Sequence, residues 1–128
     1  LKDKYRNKGV FFLGSIFKKN HLDVLRHFSS FYLHGHSVGG TNPALLEAIA
    51  AKAFIFAHNN LFNSTIIQNN GIYFSNSSDL AGLINQKEYD REKIIKENLN
   101  KIKKIYNWEN IVNEYERYFK EILSEIKD

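Results

Sequence analysis

The chain has 128 residues, 43% of them hydrophobic and 25% charged, with 18 Lys+Arg against 14 Asp+Glu for a formal net charge of +4. That balance fits one globular domain around a single hydrophobic core and excludes a disordered or low-complexity chain. No apolar run approaches the roughly 20 residues that cross a bilayer, and the lack of cysteine removes disulfides, thiolate nucleophiles and Cys-based zinc sites.

A soluble protein is expected, and the absence of cysteine is compatible with an intracellular compartment. The opening LKDKYRNK and the absence of Met suggest a segment of a longer protein. Charge is uneven: residues 1–52 carry a net +5, residues 53–85 only Asp79, and residues 86–128 balance to zero. A basic first third can steer toward phosphates, nucleic acid or an anionic membrane, or can be a solvated face. Aromatic and basic residues do not interleave as single-strand binding requires, so no nucleic-acid partner is expected.

In chain order, Gly9–Gly14 (GVFFLG) is a continuous apolar run between glycines, which predicts a strand buried on both faces. A helix follows, with Asn20 as its cap and Leu22, Leu25 and Phe28 on one side. Phe31–His34 predicts a second strand ending at the glycine-rich GHSVGG. Asn42 before Pro43 predicts a helix start, because Asn accepts from a free first-turn N–H and proline at the first position loses no intrahelical bond. That helix runs through ALLEAIAA. Phe54–Ala57 predicts a third strand, HNNLFNS a polar loop, Thr65–Asn69 a short helix and Ile72–Phe74 a fourth strand.

Ser77 or Ser78 then caps a helix through Asp79, Leu80, Leu83 and Ile84. Ile94, Ile95, Leu99, Ile102 and Ile105 form one apolar stripe. Trp108, Ile111, Val112, Tyr115, Phe119, Ile122 and Ile126 form another, with Asn107 as the cap between them. These predict two consecutive amphipathic packing helices, with Trp108 as a core or interdomain anchor. Strands alternating with helices imply parallel pairing. The fold class is therefore α/β, a partial Rossmann-like domain with a parallel sheet of about four strands ending in two amphipathic helices. In such sheets ligands bind beyond the carboxyl ends of the strands, which is where residues 34–42 fall.

GHSVGG admits three chemistries. It matches the G-x-S-x-G nucleophile elbow with Ser37 as a serine-esterase nucleophile. Such a hydrolase needs an acid and then a histidine downstream, and only Glu47 and His58 stand in that order. Pro43 also conflicts, since an elbow helix starts directly after the nucleophile and a proline inside it costs about 3 kcal/mol. A nucleotide-triphosphatase loop would use Gly35, Gly40 and Thr41, but its lysine is missing. The third chemistry needs only the backbone. Gly39 and Gly40 allow close approach of a ligand, and the helix opening at Pro43 turns its free N–H groups and positive dipole end toward an anion such as a diphosphate.

Glu47, four residues past Pro43, can accept from a sugar or ribose hydroxyl pair. Taken alone, it reads as a solvent-exposed helix glutamate. His34 and His36 form a conceivable metal pair without an evident third ligand, and neutral hydrogen-bonding roles are preferred, so no metal is assigned. His58, Asn59, Asn60 and Asn63 can line the far side of the same cleft or simply form a turn-rich loop.

HGHSVGGTNPALLEAIA, followed by FIFAHNNLFN and GIYF, resembles the C-terminal half of GT-B fold, family-4-type retaining glycosyltransferases, especially their rhamnosyltransferase-like branch. GVFFLG is similar to the strand before the donor site, SSDLAGLI to the helix after the fourth strand, and YNWENIVNEYERYF to the terminal helix. The resemblance covers most of the chain. It implies a donor-binding domain for a nucleotide sugar, with His36, Ser37, Gly39, Gly40, Thr41 and Asn42 facing the sugar and diphosphate. Glu47 matches the second glutamate of the family's Glu-x7-Glu pattern and would hold the donor ribose, whereas Gly39 replaces the first.

His58, Asn59 and Asn63 would lie on the acceptor side. The resemblance further implies a glycan or lipid-linked acceptor, an N-terminal acceptor domain upstream, and transfer without a metal or other cofactor. It places the protein in cytoplasmic surface-polysaccharide assembly, with peripheral contact at the inner membrane face, and makes this chain inactive by itself. A serine esterase using Ser37 and a noncatalytic binding domain are the competing classes.

Overall fold

The structure, a computed structural model, describes residues 1–40, 42–86 and 88–126. Its centre is a three-stranded parallel sheet in the order β1-β2-β3, formed by Tyr32–His34, Ile55–His58 and Ile72–Phe74. Tyr32 lies opposite Ile55, and Phe56 opposite Ile72. Each parallel step needs a crossover, which α2 (Pro43–Ala50) and α3 (Leu61–Ile67, continued by a 3-10 turn at Gln68–Asn70) supply. Before the sheet lies α1 (Lys19–Phe28); after it come α4 (Ser77–Asn85), α5 (Arg91–Ile105) and α6 (Trp108–Glu125).

The period-two alternation of β2 divides the core into two layers. Ile55 and Ala57 face Leu45, Ala48 and Ile49 of α2 and Ile66 and Ile67 of α3. Phe54 and Phe56 face the opposite way, with Ile72, Phe74, and Leu80 and Leu83 of α4. α5 joins both layers, with Ile94 and Ile95 on the second and Ile102 on the first. Polar side chains fasten it. Arg91 donates to Ser29 O and Ser30 O, Asn98 to Asn70 O, and Lys101 to Ile67 O. Burial holds the Lys101 ammonium below the usual lysine range, against the opposing pull of Glu97.

The expected strand at Gly9–Gly14 does not form. Gly9 and Gly14 both have φ +72, a turn conformation that interrupts an extended run, and Phe11 between them is 84% exposed. An apolar run becomes a strand only where a partner supplies its backbone hydrogen bonds, and among the described residues no strand pairs with this run. The sheet consequently has three strands rather than about four.

α1 starts at Lys19 with no side-chain cap, so Asn20 is not the cap. Its expected core stripe is also displaced: Leu25 and Phe28 are exposed, and the residue α1 buries is Arg26. α3 begins well before Thr65 because Asn60 caps it, accepting from Asn63 N. Asn76, rather than Ser77 or Ser78, caps α4 by accepting from Ser78 N and Asp79 N. α6 keeps its expected cap, Asn107, and α5 is capped by Asp90, which accepts from Lys93 N. α6, however, buries no residue, and Trp108 is exposed rather than a core anchor.

Candidate functional site

The three strands end together at His34, His58 and Phe74. The β2–β3 ladder is extended there by Asn59 N donating to Phe74 O at 2.8 Å. Beyond β1, Gly35 to Gly40 are all exposed. Gly39 has φ +115, a conformation closed to most side chains, although a Cβ there would meet no atom within 4 Å. Its glycine is therefore required by the path of the turn rather than by crowding. Asn42 ends the turn, its Oδ1 accepting from Ala44 N at 3.0 Å, and Pro43 begins α2. The helix start expected at Asn42–Pro43 is thus the one observed, and its first-turn N–H groups are taken by Asn42, Ala44 N by its Oδ1 and Leu45 N and Leu46 N by its carbonyl. Thr41 lies outside the described residues.

His36 is the best-anchored member of the turn. Its carbonyl accepts from Asn60 Nδ2 at 2.8 Å and Asn63 Nδ2 at 3.1 Å, while its ring stacks on that of His34 with centroids 4.7 Å apart. His34 is 1% exposed, and neither of its ring nitrogens has a hydrogen-bond partner. Burial pushes its pKa down, with the neighbouring His36 adding to the shift, so the imidazole is held neutral. His58 sets its ring edge-on to Phe74 and has its Nδ1 buried without a partner. Among the described residues no group of three or more His, Cys, Asp or Glu is arranged to hold a metal ion.

The structure brings His34, His36, His58, Asn60 and Asn63 together; Ser37, Gly39 and Gly40 stand exposed on the same turn. α2 begins at Pro43 rather than directly after Ser37, so the strand-to-helix geometry of a nucleophile elbow is not formed. The Asn59 side chain is exposed, whereas Asn63 is buried and its amide nitrogen is committed to two main-chain carbonyls, His36 O and His58 O.

Glu47 is reached from the other side. Its Oε2 accepts from Arg26 Nη1 at 3.0 Å, so its carboxylate is joined to α1 rather than left in bulk water. Arg26 is also 3.4 Å from Asp23 and lies over the Tyr32 ring, which ties the ion pair to β1. Asp23 is held below the usual carboxylate range, chiefly by its hydrogen bond from Lys19. Arg26 carried no signal in the sequence, because a lone arginine on a helix is ordinarily solvated and only the facing carboxylate of α2 makes its burial tolerable. Asn60 was visible only as part of an asparagine-rich loop.

This arrangement can receive an anion on the exposed main chain of the turn, beside the buried, neutral imidazole of His34. Comparison with protein-family models, with curated proteins and with solved structures finds no match. Among the described residues no helix is long and apolar enough to cross a membrane.

Proposed function

We propose that this chain is the nucleotide-sugar-binding part of a retaining glycosyltransferase that passes a sugar, rhamnose by resemblance, to a glycan or lipid-linked acceptor. The observation that carries the reading is the exposed turn Gly35–Gly40. It is open, includes a glycine at positive φ, and leads into a capped, proline-started helix at the carboxyl edge of a parallel sheet. The N–H groups of the first turn of α2 are already bonded to Asn42, so the donors offered to a diphosphate are the main-chain amides of the exposed turn itself, with the dipole end of α2 behind them.

In this reading the turn from His36 to Asn42 receives the donor diphosphate and sugar, and Glu47 receives the ribose hydroxyls. The acceptor comes from a separate domain of the same protein, working in the cytoplasm at the inner membrane face. The leaving diphosphate is stabilised by main-chain donors. The ion pair of Glu47 with Arg26 is compatible with this role, since a carboxylate has lone pairs for a guanidinium and for a hydroxyl at once.

The competing chemistry is acyl transfer at Ser37, for which the exposed hydroxyl is the supporting feature. Calorimetric titration of the chain with uridine and thymidine diphosphates and their sugar conjugates separates the two. Saturable binding that weakens in Glu47→Gln supports the transferase. Absence of binding together with covalent labelling of Ser37 by a phosphonate would replace it with the hydrolase.

A further inference from the structure

Two side-chain amides converge on one main-chain oxygen at the carboxyl edge of the sheet. Asn60 Nδ2 and Asn63 Nδ2 both donate to His36 O, at 2.8 and 3.1 Å. Asn63 Nδ2 donates in addition to His58 O at 2.9 Å, so both of its amide protons are engaged. Asn60 uses its other end as well, its Oδ1 accepting from Asn63 N at 2.9 Å as the cap of α3. Asn63 is 2% exposed, which makes these bonds costly to lose. The outcome is a closed set of bonds that joins the chain after β1, the end of β2 and the first turn of α3.

We propose that Asn60 and Asn63 are positioning residues, a clasp that fixes the conformation of the turn from His36 to Gly40 before any ligand arrives. Glycine-rich backbone loses more freedom on ordering than any other, so a turn that donates main-chain amides binds well only if that loss is met in advance. Exposed on every residue from Gly35 to Gly40, the turn has little packing to hold it. The clasp supplies the restraint at its first peptide. Its consequence for ligand affinity rests on the nucleotide-sugar reading, whereas the clasp itself is a property of the free chain.

The test uses the full chain with two substitutions. Asn60→Asp keeps an oxygen to cap α3 but sets a carboxylate against His36 O; Asn63→Ala removes two donors. Backbone order parameters of Ser37–Gly40 in the free protein are expected to fall from near the rigid value of about 0.85 to below about 0.6 in Asn60→Asp, while those of β2 stay near the rigid value, because a local loosening is read separately from a global one. Affinity for uridine or thymidine diphosphate is expected to fall about two- to tenfold, as for loss of one neutral hydrogen bond.

Unchanged order parameters at Ser37–Gly40 in Asn60→Asp would overturn the clasp, and so would an equal fall throughout β2, which marks a merely structural role. If Asn63→Ala fails to fold, Asn60→Asp decides alone. If the order parameters respond as expected but the wild type binds neither diphosphate, the clasp stands and the nucleotide reading falls. Diphosphate binding without any change in the order parameters has the opposite meaning.

Discussion

Arg26 and Glu47 form an ion pair at 3.0 Å in which the guanidinium is buried and the carboxylate is half open to solvent. The pair joins α1 to α2, and the one acidic residue of α2 neutralises a buried cation. An exposed pair contributes under about 1 kcal/mol and breaking a buried one costs about 3–5 kcal/mol.

Glu47→Ala is expected to fall between those limits, destabilising the chain by about 1–2 kcal/mol, because Asp23 remains as a second, more distant partner of Arg26 and solvent screens the open side of the pair. Glu47→Gln, which keeps an acceptor oxygen, is expected to cost less. Urea unfolding of both variants checks this. Equal stability of wild type and Glu47→Ala would show that Arg26 does not depend on Glu47.

Lowering the pH should destabilise the protein through His34. Its folded-state pKa lies below the ordinary histidine value of 6.5, so the unfolded chain binds the proton more readily than the folded one. The stabilising contribution is full above pH 6.5 and is lost as pH falls from there through the depressed folded value. His34→Gln is expected to flatten that part of the stability profile. A profile between pH 7 and pH 5 that is the same for both proteins would count against a neutral, buried imidazole.

Removing the cap of α2 with Asn42→Ala should cost about 1 kcal/mol, the usual worth of such a side chain. Asn42 Oδ1 occupies Ala44 N, so the same variant should leave diphosphate affinity little changed if the anion binds the main chain of Gly39 and Gly40, and should raise it if the anion competes for Ala44 N. Thermal melts and titration, performed side by side, distinguish a cap that only stabilises from one that also shapes the site.

Two phenylalanines test where the core lies. Phe56→Ala should destabilise by about 3–5 kcal/mol, as for a fully buried aromatic, whereas Phe11→Ala should change stability by less than about 0.5 kcal/mol. Phe56 is 1% exposed and Phe11 is 84% exposed. A large effect at Phe11 would mean that the GVFFLG segment packs after all.

Local chemistry and tertiary pairing were unequally legible in the sequence. Ile72–Phe74 and the helix start at Asn42–Pro43 were readable to the residue, since alternation, capping and proline geometry act within a few positions. The apolar run at Gly9–Gly14 was not, because apolarity describes a strand's faces and says nothing of whether a neighbour exists to pair with it. Arg26 escaped for a related reason, and so did the bracing role of Asn63, which the sequence offered only as a lining residue. Their burial depends on a carboxylate of α2 and on carbonyls of His36 and His58, remote in the chain and joined only by folding. The candidate site was thus visible as a turn, while the side chains that brace it were not.

The most direct measurement is an amide chemical-shift titration of the chain with uridine and thymidine diphosphates. Saturable shifts concentrated at Gly39, Gly40, Asn42 and Ala44, with smaller ones at Asn60 and Asn63, are expected if the turn receives the diphosphate on main-chain donors. Shifts confined to the basic residues 1–8, or none at saturating ligand, would contradict an anion site at this turn.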